Sequence, residues 1–161
     1  MKKILNYLLL AVALAFAACD NSDDPVQEIS LPVTYANIAG TWRLEQWNGT
    51  ATNQERYCYL VIERRPDDET GLRVLKMYTN IDSDKAHLVT STYELTEDEK
   101  SGATIISGLY DYGAGFWTNS YIVNLTNDQM TWTVTDDAHD VSVYVRCNEV
   151  PEDIQNGTRA L

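Results

Sequence analysis

From residue 41 onward, apolar and polar positions alternate in short runs and do not recur at helical spacing. Runs near 41–48, 57–64, 72–79, 87–95, 103–110, 116–125, 129–135 and 141–147 are rich in Val, Ile, Thr, Tyr or Trp, the composition and two-residue period of half-buried strands. They predict eight strands with no helix between them. The breaks Pro66 to Gly71, Asn80 to Asp84, Glu97 to Gly102 and Asp136 to Asp140 are polar and of hairpin length, built from residues that favour turns. None is long enough for a crossover helix, so neighbouring strands are expected to pair antiparallel. Eight such strands avoid exposed edges by closing on themselves, and an up-and-down barrel is the simplest closure. The expected fold class is all-β.

Alternation also predicts the faces. Met130, Trp132 and Val134 oppose Thr131, Thr133 and Thr135, while Val141, Val143 and Val145 oppose Ser142, Tyr144 and Arg146. The apolar set of each pair is expected on the dry side. Cys58 alternates with Leu60 and Ile62, and Cys147 with Val143 and Val145, so both thiols are expected to point inward. In a meander the last strand borders the first and not the second, which sets these cysteines about two strand spacings, ~9.6 Å, apart. A disulfide spans roughly 7 Å between α-carbons, so two thiols are expected, although an exported location would permit a bond.

Ahead of the strands, Lys2 and Lys3 precede an apolar run from Ile4 to Ala17 that only Asn6 interrupts, followed at once by Ala18 and Cys19. Charge, apolar stretch and small residues, in that order, form a secretory signal. The run is shorter than the roughly 20 residues of a membrane span. Phe16-Ala17-Ala18-Cys19 resembles the lipobox of bacterial lipoproteins, with Phe16 where Leu is usual. That resemblance implies a diacylglycerol on the Cys19 thiol, cleavage before Cys19 and acylation of the new amine by a palmitate-type chain, and several chains make a lasting anchor where one does not. The acidic run Asp20 to Asp24 resembles, at residues 22–24, the export signal of Bacteroidetes surface lipoproteins. The protein is then expected on the outer membrane facing outward, with a periplasmic tether as the alternative. The divisions are a lipoprotein signal over 1–18, a lipidated cysteine and acidic flexible tether over 19–35, a barrel over 36–150, and a tail over 151–161. Pro25 and Pro32 keep the tether extended.

Composition narrows the partners. The 161 residues are 44% hydrophobic and 22% charged, which suits one globular core of ordinary density. The formal charge is −12, and loss of Lys2 and Lys3 with the signal leaves ten basic residues against 24 acidic ones, a charge of −14. Nucleic-acid binding needs basic residues gathered on one face, and the seven arginines and three remaining lysines are scattered along the chain. No nucleic-acid partner is expected.

Asn37 to Leu44, with Gly40-Thr41-Trp42, resembles the Gly-x-Trp opening of the lipocalins. There a short turn delivers a tryptophan to the closed end of an eight-stranded barrel. The resemblance implies a structural trio of Gly40, Trp42 and Arg146, the last an arginine of the final strand packed over the indole as a cation–π contact. It covers about residues 37–148 and is nearest to the lipocalin-like domains of Bacteroidetes lipoproteins. Two departures stand out: only fourteen residues follow Cys147, including Pro151 and Gly157, so no helix is expected after the barrel, and Thr135-Asp136 does not continue into a Thr-Asp-Tyr signature.

Reactive chemistry is sparse. His87 and His139 are the candidate bases, and neither lies beside a recognisable serine or cysteine nucleophile motif. Asn80-x-Asp82-x-Asp84 has the start of a calcium loop, but Lys85 stands where glycine is needed and Ser91 where a bidentate glutamate is needed, so it reads as a turn. No metal and no cofactor are implied. Tyr110, Tyr112, Phe116 and Trp117 cluster around a glycine-rich loop. Such rings suit an apolar ligand or a sugar face, and the alternative is that Phe116 and Trp117 begin a strand and belong to the core. The expected function is binding of a small hydrophobic or amphipathic ligand in a barrel cup, and not catalysis. Its rival is a filled barrel that binds a protein or glycan at the cell surface. Large apolar inward residues would favour the rival.

Overall fold

The computed structural model describes residues 29–159 apart from 54, 82–85, 112 and 114. Cys19, the lipobox, Tyr112 and Asp82 to Lys85 therefore lie outside the described residues. The strands are β1 (Gly40–Trp47), β2 (Thr50–Ala51), β3 (Cys58–Ile62), β4 (Val74–Thr79), β5 (His87–Glu97), β6 (Thr104–Tyr110), β7 (Gly115–Phe116), β8 (Tyr121–Leu125), β9 (Gln129–Val134) and β10 (Asp137–Cys147). Eight of them form an antiparallel meander that closes where β10 pairs with β1, with the two-residue β2 and β7 added at its rim. The barrel is all-β and up-and-down, as the alternation predicts.

One end is plugged. Thr34 caps a single helical turn, α1 (Tyr35–Ile38), by accepting from the Asn37 amide at 3.2 Å. Leu31, Val33 and Tyr35, which the sequence places at the end of the tether, pack against the core, and the Leu31 amide donates to the Leu125 carbonyl at 2.8 Å. Above the plug, Trp42, Leu60, Leu75, Ile106, Leu125 and Met130 are fully enclosed and fill the axis. Apolar burial on this scale is the main favourable contribution to the fold. Tyr93 belongs to the same layer and donates its hydroxyl to the Glu63 carbonyl at 3.1 Å. Burial pushes that phenol up to about 12, with Arg73 opposing the shift. A phenol raised in the folded state stabilises fully below its unfolded value near 10, and that contribution is lost as pH rises through 12. Urea unfolding at stepped pH is thus expected to show Tyr93→Phe with a flatter fall in stability between pH 10 and 12 than the parent chain; identical slopes would contradict it.

Three strand expectations need correction. The break expected at 136–140 is mostly strand: Val134 pairs with Asp137, Thr135-Asp136 make a two-residue turn, and β10 then carries a bulge before Val141. The projecting arm is held because Trp47 Nε1 donates to Asp140 Oδ1 at 2.9 Å and the Val141 amide donates to Asn48 Oδ1 at 2.7 Å. The strand expected at 116–125 is divided, because Trp117 turns inward and its amide donates to the Gly108 carbonyl at 2.9 Å. The faces of the last strand are the reverse of those expected. Cross-strand partners share a face, so Trp42 opposite Arg146 and Leu44 opposite Tyr144 put Tyr144 inside and Val143 and Val145 outside.

Cys147 shares that reversal. It points outward under the tail, whereas Cys58 points into the core, so the barrel wall separates the two and no disulfide joins them. Burial raises the Cys147 thiol pKa, with Arg43 opposing. A helix does follow the barrel. The turn α2 (Glu152–Gln155) buries Ile154, with Val150, against Tyr57 and Tyr59 on the outer wall. Asp153 holds the end of this tail through a two-pronged bond from Arg159, at 2.6 and 3.0 Å. Four residues carry no helical period, so only the packing reveals the turn.

Candidate functional site

The two ends of the barrel hold different chemistry. At the closed end, the Arg146 guanidinium lies 4.0 Å from the Trp42 ring centroid. Its Nη1 donates to the Ala39 carbonyl and its Nη2 to the Asn37 carbonyl, each at 3.0 Å, while Nε donates to the Asn127 carbonyl at 2.9 Å. Trp42 Nε1 donates to the Ile38 carbonyl at 2.8 Å. A Cβ on Gly40 would sit 2.7 Å from Arg146 Nη1, and its φ of +130° is one that side chains rarely adopt. All three guanidinium nitrogens and the indole N–H of this trio donate to backbone carbonyls. Gly40, Trp42 and Arg146 thus form a clasp that seals the barrel, and nothing in it is positioned to act on a ligand.

At the opposite end, five aromatic rings pack together along the inner wall. Tyr110 on β6 meets Trp117 at 6.5 Å between centroids, Trp117 stacks on Trp132 of β9 at 6.0 Å, and Trp132 meets Tyr144 of β10 at 5.4 Å. Tyr121 of β8 closes the set, 6.4 Å from Trp117 and 5.2 Å from Trp132. Gly108 makes room for this ladder, since a Cβ there would lie 2.7 and 2.8 Å from the Trp117 ring. Burial raises the phenol pKa of Tyr121 and pushes that of Tyr144 well up, with like-signed neighbours adding to both. Both hydroxyls therefore stay protonated and able to donate at neutral pH.

Trp117 Nε1 and Trp132 Nε1 are buried with no acceptor among the described residues. Buried donors are nearly always satisfied, and leaving one unpaired costs about 1–3 kcal/mol. Two such donors stand in one ring stack.

Of the loop aromatics that the sequence singles out, Tyr110 and Trp117 belong to the ladder, Phe116 is 85% exposed and stands outside it, and Tyr112 lies outside the described residues. Tyr121, Trp132 and Tyr144 are the members that loop reasoning misses. Trp132 was legible as an inward residue, and Tyr144 shares the phase of Arg146, the residue expected over Trp42.

Other candidates do not assemble. His87 on β5 and His139 on β10 sit on strands four steps apart in either direction round the barrel, so they face opposite walls. Among the described residues no group of three or more His, Cys, Asp or Glu could hold a metal ion. Asn80 is structural: its Oδ1 accepts from the Tyr57 amide at 2.8 Å and its Nδ2 donates to the Glu55 carbonyl at 2.6 Å.

No curated protein and no solved structure matches the chain. A family model described as a lipocalin-like domain matches residues 38–132, more than half of the sequence. That span runs from the turn preceding Trp42 to the Trp132 of the ladder, and with the closed eight-stranded barrel around it, the chain belongs to the lipocalin-like domain family.

Proposed function

We propose that this protein binds a small hydrophobic or amphipathic molecule at the open mouth of its barrel, as a lipid-anchored protein of the outer membrane facing the cell surface. The observation that carries the binding reading is the aromatic ladder with its two unsatisfied indole N–H groups. Stacked rings offer broad contact at little entropic cost, and the indole donors ask for an acceptor atom. A flat or acyl ligand with a carbonyl or ether oxygen answers both. The filled axis below keeps such a ligand shallow. Anchoring at Cys19 and the surface address rest on the lipobox and the acidic run behind it. The reading is non-enzymatic, in keeping with lipocalin-like domains in general.

The filled axis also favours the second reading, a surface module that binds a protein or glycan, and the exposed Trp47 and Phe116 of the rim would suit a sugar face. Native and denatured mass spectra of the chain, purified from an oxidising compartment, separate the two. A non-covalent adduct lost on denaturation is expected, and binding of that compound to Trp117→Phe, which keeps a ring but removes the N–H, is expected to weaken about fivefold to tenfold. A chain that stays bare after incubation with a lipid extract would overturn the small-ligand reading.

A further inference from the structure

A concave site lies on the outer wall, between the β1–β2 hairpin and the C-terminal tail, and it shares no residue with the aromatic ladder. This cleft has a volume of about 550 Å³ and is lined by Arg43, Arg56 and Arg159, with Tyr57 and Tyr59 among its other walls. In a chain with twice as many acidic as basic residues, three of seven arginines converge on one hollow. Scattered surface charge would not produce that. The cause is topological: Arg43 points outward opposite Tyr59 in the β1–β3 ladder, Arg56 ends the loop into β3, and the tail carries Arg159 back over Tyr57 at 5.6 Å.

The floor is aromatic, with the Tyr57 and Tyr59 rings 6.2 Å apart. Burial raises both phenols, while Arg159 opposes the shift at Tyr57, and Arg43 and Arg159 both oppose it at Tyr59. Two guanidinium groups therefore act on one hydroxyl. Arg43 is paired with Glu45 at 2.5 Å and Arg159 with Asp153, and Arg56 Nη1 donates to the Asn80 carbonyl at 2.8 Å. The half-exposed Arg43–Glu45 pair contributes little and exchanges readily, while Arg159 keeps its two-pronged bond to Asp153 and has further N–H donors beside it. Each guanidinium has a five-donor fork suited to oxyanions, so a ligand with two negative charges can engage several at once.

We infer that the cleft bounded by Arg43, Arg56 and Arg159 over the Tyr57–Tyr59 floor binds a phosphate-monoester dianion, with its organic group against the tyrosine rings. The volume exceeds what bare phosphate fills, and the aromatic floor supplies a surface for the ester group. The ester could be a soluble metabolite or the headgroup of a phosphatidic acid, and both present the same dianion.

The test is arginine side-chain NMR of the full chain at pH 8, above the second phosphate pKa of about 6. One arm adds phenyl phosphate, and the other adds phosphatidylcholine vesicles with or without phosphatidic acid. Saturable shifts of the Nε resonances of Arg43, Arg56 and Arg159 are expected in at least one arm. Saturation by phenyl phosphate assigns a soluble ester, and saturation only by the phosphatidic-acid vesicles assigns a lipid headgroup. Arg56→Gln should weaken binding about tenfold, with Arg64→Gln, outside the cleft, unchanged. Shifts equalled by sodium chloride at matched ionic strength, or no saturation in either arm, would overturn the inference, and the parent chain alone decides this if a variant fails to fold.

Discussion

Trp42→Ala is expected to cost about 3–5 kcal/mol of folding stability, the range for removing a large aromatic from a closed core. Trp42 is fully buried beneath the Arg146 guanidinium, and its Nε1 occupies the Ile38 carbonyl. Alanine removes three things together: apolar area, the ring face that receives the cation, and the donor to a carbonyl in α1. The clasp would then leave Arg146 bound to Asn37, Ala39 and Asn127 around a hole. At about 4 °C per kcal/mol for a domain of this size, the melting temperature should fall by about 12–20 °C. Urea unfolding with a Trp42→Phe control checks the assignment, because phenylalanine keeps much of the packing and should cost clearly less. Equal losses would mean that the aromatic volume is not what matters.

Gly108→Ala is expected to be nearly as severe for the opposite reason, overpacking. A Cβ at this position would lie 2.2 Å from the Thr92 carbonyl oxygen and within 2.8 Å of the Trp117 ring. The ring can rotate away, but the carbonyl belongs to the backbone of β5, next to the Tyr93–Gly108 pair, and cannot move without distorting the ladder. Overpacking a tight site costs about 1–3 kcal/mol and sometimes more. The near-ultraviolet circular dichroism of the stacked Trp117–Trp132 pair should weaken along with stability. Gly115→Ala is the control, since nothing lies within 4 Å of its Cβ position and its φ is ordinary; its effect should stay within about 0.5 kcal/mol. Should the two alanines behave alike, the contact at Gly108 is not restrictive.

The barrel was legible because its evidence is local and repeated: alternation in each strand, and hairpin breaks too short for helices. The clasp was legible through one resemblance, which placed Arg146 over Trp42. That placement already decided the faces of β10, since Tyr144 lies two residues from Arg146 and must share its side. The valine pattern pointed the other way, and Val143 and Val145 stand half-buried on the outer wall, outside the one apolar patch there that the tail covers. In that patch Val150 and Ile154 cover Tyr57, Tyr59 and Cys147, which is how an outward Cys147 gains burial. A tail of one helical turn leaves no periodic trace that would announce this. The ladder was half legible for a related reason: the glycine-rich loop draws attention to Tyr110 and Trp117, whereas Tyr121, Trp132 and Tyr144 become neighbours only through pairing of strands far apart in sequence.

The seam between β1 and β10 sets the order in which this molecule can become itself. Its ties join residues about a hundred positions apart: Trp47 to Asp140 spans 93, and Arg146 to Asn37 spans 109. Until the last strand has been made, the growing sheet has two raw edges, each a template for pairing with another chain. No nascent fragment can close the ring. Distant pairing of this kind folds slowly, on the scale of milliseconds to seconds, and the seam can close only once the last strand is present. Loss of the final strand would therefore leave an open, adhesive sheet, not a smaller barrel.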